Sequence, residues 1–161
     1  MNLKTLDARL IAHLQTYGPA LLRDTLAFVF IWFGLLKALG VSPVAQLVAH
    51  TLPWFPSNNV VFILGVLEVL IGLLLFFGVA LRLTLLVLSL HLLGTFLVFV
   101  MLPGQSFRNG NLFLLTMEGE FVLKNIVLFA AALVVGSTLH AMKSHESWRR
   151  RAVRRLRRVL P

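Results

Sequence analysis

The 161-residue chain contains no cysteine, which excludes disulfides, thiol nucleophiles and cysteine-ligated metals. Charge is nearly as scarce. Only 13% of residues are charged, against roughly a quarter in soluble domains. No H-x-x-E or H-E-x-x-H spacing is present, and His50, His91 and His140 fall at different depths, so the sequence offers no metal site. A flavin motif, an internal repeat and a low-complexity linker are also lacking, and no cofactor is evident from motifs. What fills the chain instead is apolar: 58% of its residues are hydrophobic and the mean hydropathy is +0.89.

An excess gathered into long runs means that the solvent is lipid. The hydrocarbon core is about 30 Å thick and needs roughly 20 apolar helical residues to cross it. Stretches at about 22–41, 60–81, 83–102 and 120–142 meet that length. Backbone polar groups in lipid must be satisfied within the segment, so these are helices rather than open strands. The expected fold is all-α: a polytopic membrane protein with four transmembrane helices in an up-and-down bundle. The first apolar run is long and late and lacks a small-residue cleavage site, which disfavours a signal peptide. Residues 21–142 form one membrane domain, flanked by an N-terminal segment, 1–20, and a basic tail, 143–161.

The net charge of +9 is distributed as a topology signal. Seven of the 15 Lys and Arg residues lie between Arg149 and Arg158, with Lys143 just before them. Lys4, Arg9 and Arg23 flank the first span, and Arg82 sits in the tight link between the second and third. The first outer loop, 40–59, has no Lys or Arg, and the second holds Arg108 alone. The positive-inside rule then places both termini in the cytoplasm, and no nucleic-acid partner is needed to explain the charge. Leu3, Leu6, Leu10, Leu14 and Tyr17 form an apolar stripe ahead of an expected break at Gly18-Pro19. Trp148, Ala152, Leu156 and Val159 do the same in the tail, among arginines. Both ends therefore read as amphipathic interfacial helices held by anionic lipid. In the first outer loop, AQLVAHTL is expected to form a short helix across the bundle mouth, beside the interfacial Trp54 and Phe55.

Inside the bundle, polar residues are few enough to name. Glu68 is the one ionisable residue between Val60 and Leu81. An ionised carboxylate facing lipid costs several kcal/mol, so it must face protein or water. Gly65, Glu68 and Gly72 share a helix face, and glycines let another helix approach closely. Lys37 at the end of the first span and Lys124 at the start of the fourth lie near enough in depth to reach Glu68. Glu118 and Glu120 stand at the same mouth, and Glu120 precedes Lys124 by four residues in the better orientation for a helical ion pair. The expected constellation is Lys37, Glu68, Glu120 and Lys124. His91 falls at a similar depth and shares a face with Thr84 and Thr95. It is either a neutral histidine bonded to threonine or a proton station with Glu68.

FIWFGLLKALG, GVLEVLIGLLLFFG and LLTMEGEFVLKNIVL, in that order, resemble the DoxX-like membrane proteins, most nearly the YkgB/RclC branch. The resemblance covers about residues 23–136. It implies a four-helix bundle in the bacterial cytoplasmic (inner) membrane and a link to redox or oxidative stress, since one DoxX-like relative is a subunit of a thiosulfate:quinone oxidoreductase. By motif position it carries over Lys37, Glu68 and Lys124. The leading expectation is an accessory protein binding a quinone or similar lipophilic molecule. Lys37 or Lys124 would donate to a carbonyl, Glu68 would accept or relay a proton, and Trp32 and Phe33 would pack on the ring. Lacking an electron carrier, such a chain would work with a redox partner subunit or as a binding module, rather than as an enzyme alone. Two other classes stand beside it. One is a proton-coupled transporter or permeation subunit using Glu68 and His91, which as a homo-oligomer would widen a narrow bundle. The other is a structural or assembly protein.

Replacing the tail arginines with glutamine is expected to weaken binding of a 143–161 peptide to anionic vesicles in a sedimentation assay. Unchanged binding would rule out lipid anchoring by the tail.

Overall fold

The computed structural model describes residues 3–139. The basic tail and the last residues of the fourth span, 140–142, lie outside the described residues, as does His140. Among the described residues the structure is helical, and four helices are long and apolar enough to cross a membrane. They are α1 (Leu3–Ala38), α3 (Ser57–Phe77), α4 (Leu81–Met101) and α6 (Met117–Leu139). The short helices α2 (Ala45–Thr51) and α5 (Pro103–Ser106) lie in the connections.

The ends of the spans follow from local chemistry. Gly40 and Gly78 both adopt positive φ, +73° and +68°, a region in which a Cβ is disfavoured. Gly78 closes α3 by donating its N–H to the carbonyls of Leu74 and Leu75, and only Val79 and Ala80 separate it from α4. At the start of α6 the Thr116 hydroxyl accepts the N–H of Gly119, an N-cap that satisfies one of the helix's free donors. Both α4 and α6 contain a single-residue turn, at Phe96 and Lys124.

The first helix departs from expectation at Gly18-Pro19. No break occurs there, and α1 continues as one helix through Pro19. Proline removes one backbone donor and its ring crowds the preceding residue's Cβ. Here that residue is glycine, with no Cβ to crowd and no neighbour within 4 Å of where one would stand. At 36 residues α1 is roughly 54 Å long, well beyond an apolar core of about 30 Å. Its first part, 3–17, is exposed and projects past the bundle.

The backbones of α1 and α3 approach each other closely. A Cβ on Gly34 would stand 2.6 Å from the Gly65 carbonyl oxygen, and one on Gly65 would stand 2.8 Å from that of Gly34. One on Gly72 would stand 2.8 Å from the Ala27 oxygen. The backbones meet through three glycines, as small residues allow in membrane helices. Beyond this seam an apolar core draws on all four long helices, with Leu26 and Phe30 from α1, Leu75 from α3, Leu88 from α4, and Ala132 and Val135 from α6. The outside is as apolar as the inside: Phe28, Leu70, Leu90 and Val127 are all more than half exposed. So large an apolar exterior suits lipid and not water. At the other end of the bundle, α2 forms from AQLVAHT as expected. Its Leu47 packs with Val98 and Val122 in a second, smaller cluster.

Gly65→Ala is expected to destabilise the protein by about 1–3 kcal/mol through overpacking, because the atoms it meets are backbone. Thermal unfolding in mild detergent measures it, and Gly94→Ala inside α4, where the space is open, serves as the control that should hold or slightly raise the melting temperature.

Candidate functional site

The glycine seam brings Lys37 over Glu68. Gly65 lies one turn before Glu68, and a Cβ there would stand 2.8 Å from the Cβ of Lys37. The approach lets the lysine stem run alongside α3, so its Nζ donates to Glu68 Oε1 at 2.5 Å. From the other side, His91 Nε2 donates to the same oxygen at 2.8 Å. All three side chains are nearly enclosed, 11% (Lys37), 7% (Glu68) and 10% (His91) exposed. Phe30 places its ring against the imidazole at 6.0 Å, edge-on. Glu68 Oε2 is buried and has no hydrogen-bond partner among the described residues.

The triad forms part of the wall of a cavity of about 780 Å³. The remaining wall is mostly apolar, with Phe33 from α1, Leu47 and Val48 from α2, Val98 from α4 and Phe121 from α6. Thr51, Thr95, Lys124 and Asn125 supply the other polar side chains. Asn125 Nδ2 donates to Thr95 Oγ1 at 2.8 Å, and that hydroxyl in turn donates to the Leu92 carbonyl at 2.6 Å. This link ties α4 to α6 beside the turns at Phe96 and Lys124. A mostly apolar cavity with a few convergent polar groups is the usual form of a small-molecule site.

The structure thus joins three of the expected site residues, Lys37, Glu68 and His91. The expected bond between His91 and a threonine does not form: Thr84 donates to the carbonyls of Val79 and Ala80, and Thr95 to that of Leu92. A carboxylate is the stronger acceptor for the imidazole N–H. Lys124 lines the cavity but is exposed and makes no ion pair among the described residues. Glu118 and Glu120 are exposed, and Glu120 neither pairs with Lys124 nor lines the cavity. An exposed pair gains too little to offset the entropy of holding two long side chains together. Of the two proposed ring-packing aromatics, Phe33 lines the cavity and meets Phe121 edge-on at 6.0 Å. Trp32 faces outward, 55% exposed and stacked on Phe28. The two are adjacent on a helix and point about 100° apart, so only one can face the cavity.

Sequence reasoning missed Gly34, Thr95 and Asn125 as site builders. Gly34 was legible in principle, because it precedes Lys37 by one turn and so shares its face. The Thr95–Asn125 pair joins residues 30 apart and carries no sequence signal. Compared with family models, curated proteins and solved structures, the chain has no match.

Lys37→Met is expected to destabilise the protein by about 3–5 kcal/mol, because it leaves the Glu68 charge buried with one partner fewer. Adding Glu68→Gln to Lys37→Met should recover much of that loss. Thermal unfolding of the two single variants and the double measures the coupling, and additive losses would show that the pair is not energetically linked.

Proposed function

We propose that this chain is a multi-pass protein of the bacterial cytoplasmic membrane, of DoxX-like type, that binds a quinone-like lipophilic molecule in the cavity beside Lys37, Glu68 and His91. The observation that carries the reading is the pairing of a roomy, mostly apolar cavity with one buried ionisable cluster in its wall. A lipophilic ring fills the apolar part, and the polar cluster orients the substituents. Lys37 gives one of its three N–H donors to Glu68, so Lys37 or Lys124, which both line the cavity, donates to a ring carbonyl. Phe33 and Phe121 offer the aromatic faces. Leu97 and Val127 line the cavity and are themselves exposed on the outer surface of the bundle, which supports entry from the lipid. The chain would serve a partner redox subunit as a binding module.

The second reading is proton-coupled permeation through Glu68 and His91, and the hydrogen bond between them favours it. A path also needs polar groups toward the α3–α4 turn. That half of the bundle is packed instead with Leu26, Leu75, Leu88, Ala132 and Val135. The pocket reading is therefore the better supported. With both termini cytoplasmic, the cavity opens toward the outer face.

Titration of the purified protein in nanodiscs with a short-chain quinone is expected to give saturable binding. Glu68→Gln and Lys124→Met are each expected to weaken it about tenfold, a loss of roughly 1.4 kcal/mol. Absence of saturable binding, or binding indifferent to both substitutions, would remove the proposal, and pH-driven proteoliposome flux abolished by Glu68→Gln would favour the second reading.

A further inference from the structure

Resting on the reading of this cavity as a site for a lipophilic ring, the shape of its wall bears on what the ligand carries besides the ring. Two seams between the long helices are closed beside the polar cluster. The approach of Gly34 to Gly65 joins α1 to α3. Between α4 and α6, Asn125 Nδ2 donates to Thr95 Oγ1 at 2.8 Å, and Val98 and Val122 share one apolar cluster. The seam between α1 and α6 is built differently. Phe33 and Phe121 meet there edge-on at 6.0 Å. Val29 lies one turn from Phe33 on the same face of α1, toward the bilayer centre. Lys124 and Val127 lie one to two turns from Phe121 along α6, in the same direction. All of these residues line the cavity, yet Val127 is 70% exposed, Phe33 36%, and Lys124 is exposed as well. A side chain that lines a cavity and is also largely accessible stands at its rim. The cavity therefore opens sideways between α1 and α6, onto an apolar exterior suited to lipid. The aromatic faces and one of the cations of the proposed ring site stand at this gap, so a ring held there has its substituents at the opening. Gly94 and Leu97, also exposed wall residues, stand apart from them on α4.

We infer that the ligand is a chain-bearing lipid: its ring sits in the cavity, and its hydrocarbon chain leaves between α1 and α6, past Val29 and Val127, into the bilayer. Lipid tails are as apolar as leucine, so a chain that stays among them gains and loses little when the ring binds. Drawing the same chain into the cavity would order its many bonds, at a cost that grows with its length. The gap thus removes the limit on chain length that an enclosed cavity of about 780 Å³ would impose.

The test titrates the full chain in nanodiscs with ethyl-, decyl- and hexadecyl-substituted benzoquinones. Each affinity is expressed per mole fraction of ligand in the bilayer, so that partitioning cancels. In the unaltered protein the three affinities are expected to agree within about threefold, because the added carbons remain in lipid. Val29→Trp and Val127→Trp add bulk from the two sides of the gap. Each is expected to weaken the decyl and hexadecyl compounds at least about tenfold, while the ethyl compound stays within about threefold. Gly94→Leu, on the α4 part of the wall, is the control and should weaken all three alike or none. Affinity that falls away with chain length in the unaltered protein, with the ethyl compound still bound, overturns this inference and leaves the binding reading standing. Long chains unaffected by both Trp variants, or weakened selectively by Gly94→Leu, overturn the exit between α1 and α6. No saturable binding of any of the three overturns the binding reading, and the inference with it. Should the Trp variants fail to fold, the chain-length series on the unaltered protein still decides whether the chain leaves the cavity.

Discussion

A carboxylate carried into lipid must find its counter-charge inside the protein, and that requirement organises this fold. Glu68 is held from two sides, by Lys37 of α1 and His91 of α4. Desolvating such groups is costly, and the cost is recovered only where the geometry is close and the partners are fixed. Closeness here is a property of the backbone. Gly34 and Gly65 remove the side chains that would hold α1 and α3 apart, and the ammonium then comes within bonding distance of the carboxylate. Without the glycine seam the lysine would stand off from the carboxylate and remain unpaired, as Lys124 is on α6 among the described residues.

The same cluster marks the boundary between two differently built halves of the bundle. Toward the tight α3–α4 turn, leucines and small residues from all four long helices close the interior. Toward the other end, α2 packs against α4 and α6 through Leu47, α4 and α6 each contain a turn residue, and the interior opens into the cavity. The ionisable groups stand at the transition, where burial lends their interactions strength and the cavity gives a ligand access to them.

This arrangement separates two roles that a buried charge can play. The Lys37–Glu68–His91 bonds use one carboxylate oxygen and tie three helices together, a structural role. The second oxygen takes no part in that tie. Lys37 likewise gives one of its three N–H donors to the tie, and it lines the cavity with the donors it keeps.

Much of the fold was legible in the sequence. In lipid the backbone can satisfy its hydrogen bonds only locally, so the length and apolarity of the runs determined helices. The face shared by Gly65, Glu68 and Gly72 likewise pointed to a close helix pair, because helical periodicity is a local property. The partners of Glu68 were legible only in part. Lys37 follows from depth, but depth alone could not rank His91 above Lys124 or place Glu120 outside the site. Nor could it separate Phe33, turned to the cavity, from Trp32, turned to the exterior. Those choices depend on the rotation of each helix about its axis and on which helices are neighbours. Rotation is set by packing between residues distant in the chain, such as Gly34 against Gly65 and Thr95 with Asn125. The sequence by itself determined that a carboxylate would be buried among helices. The tertiary structure decided which groups would hold it and which of its oxygens would be left unpaired.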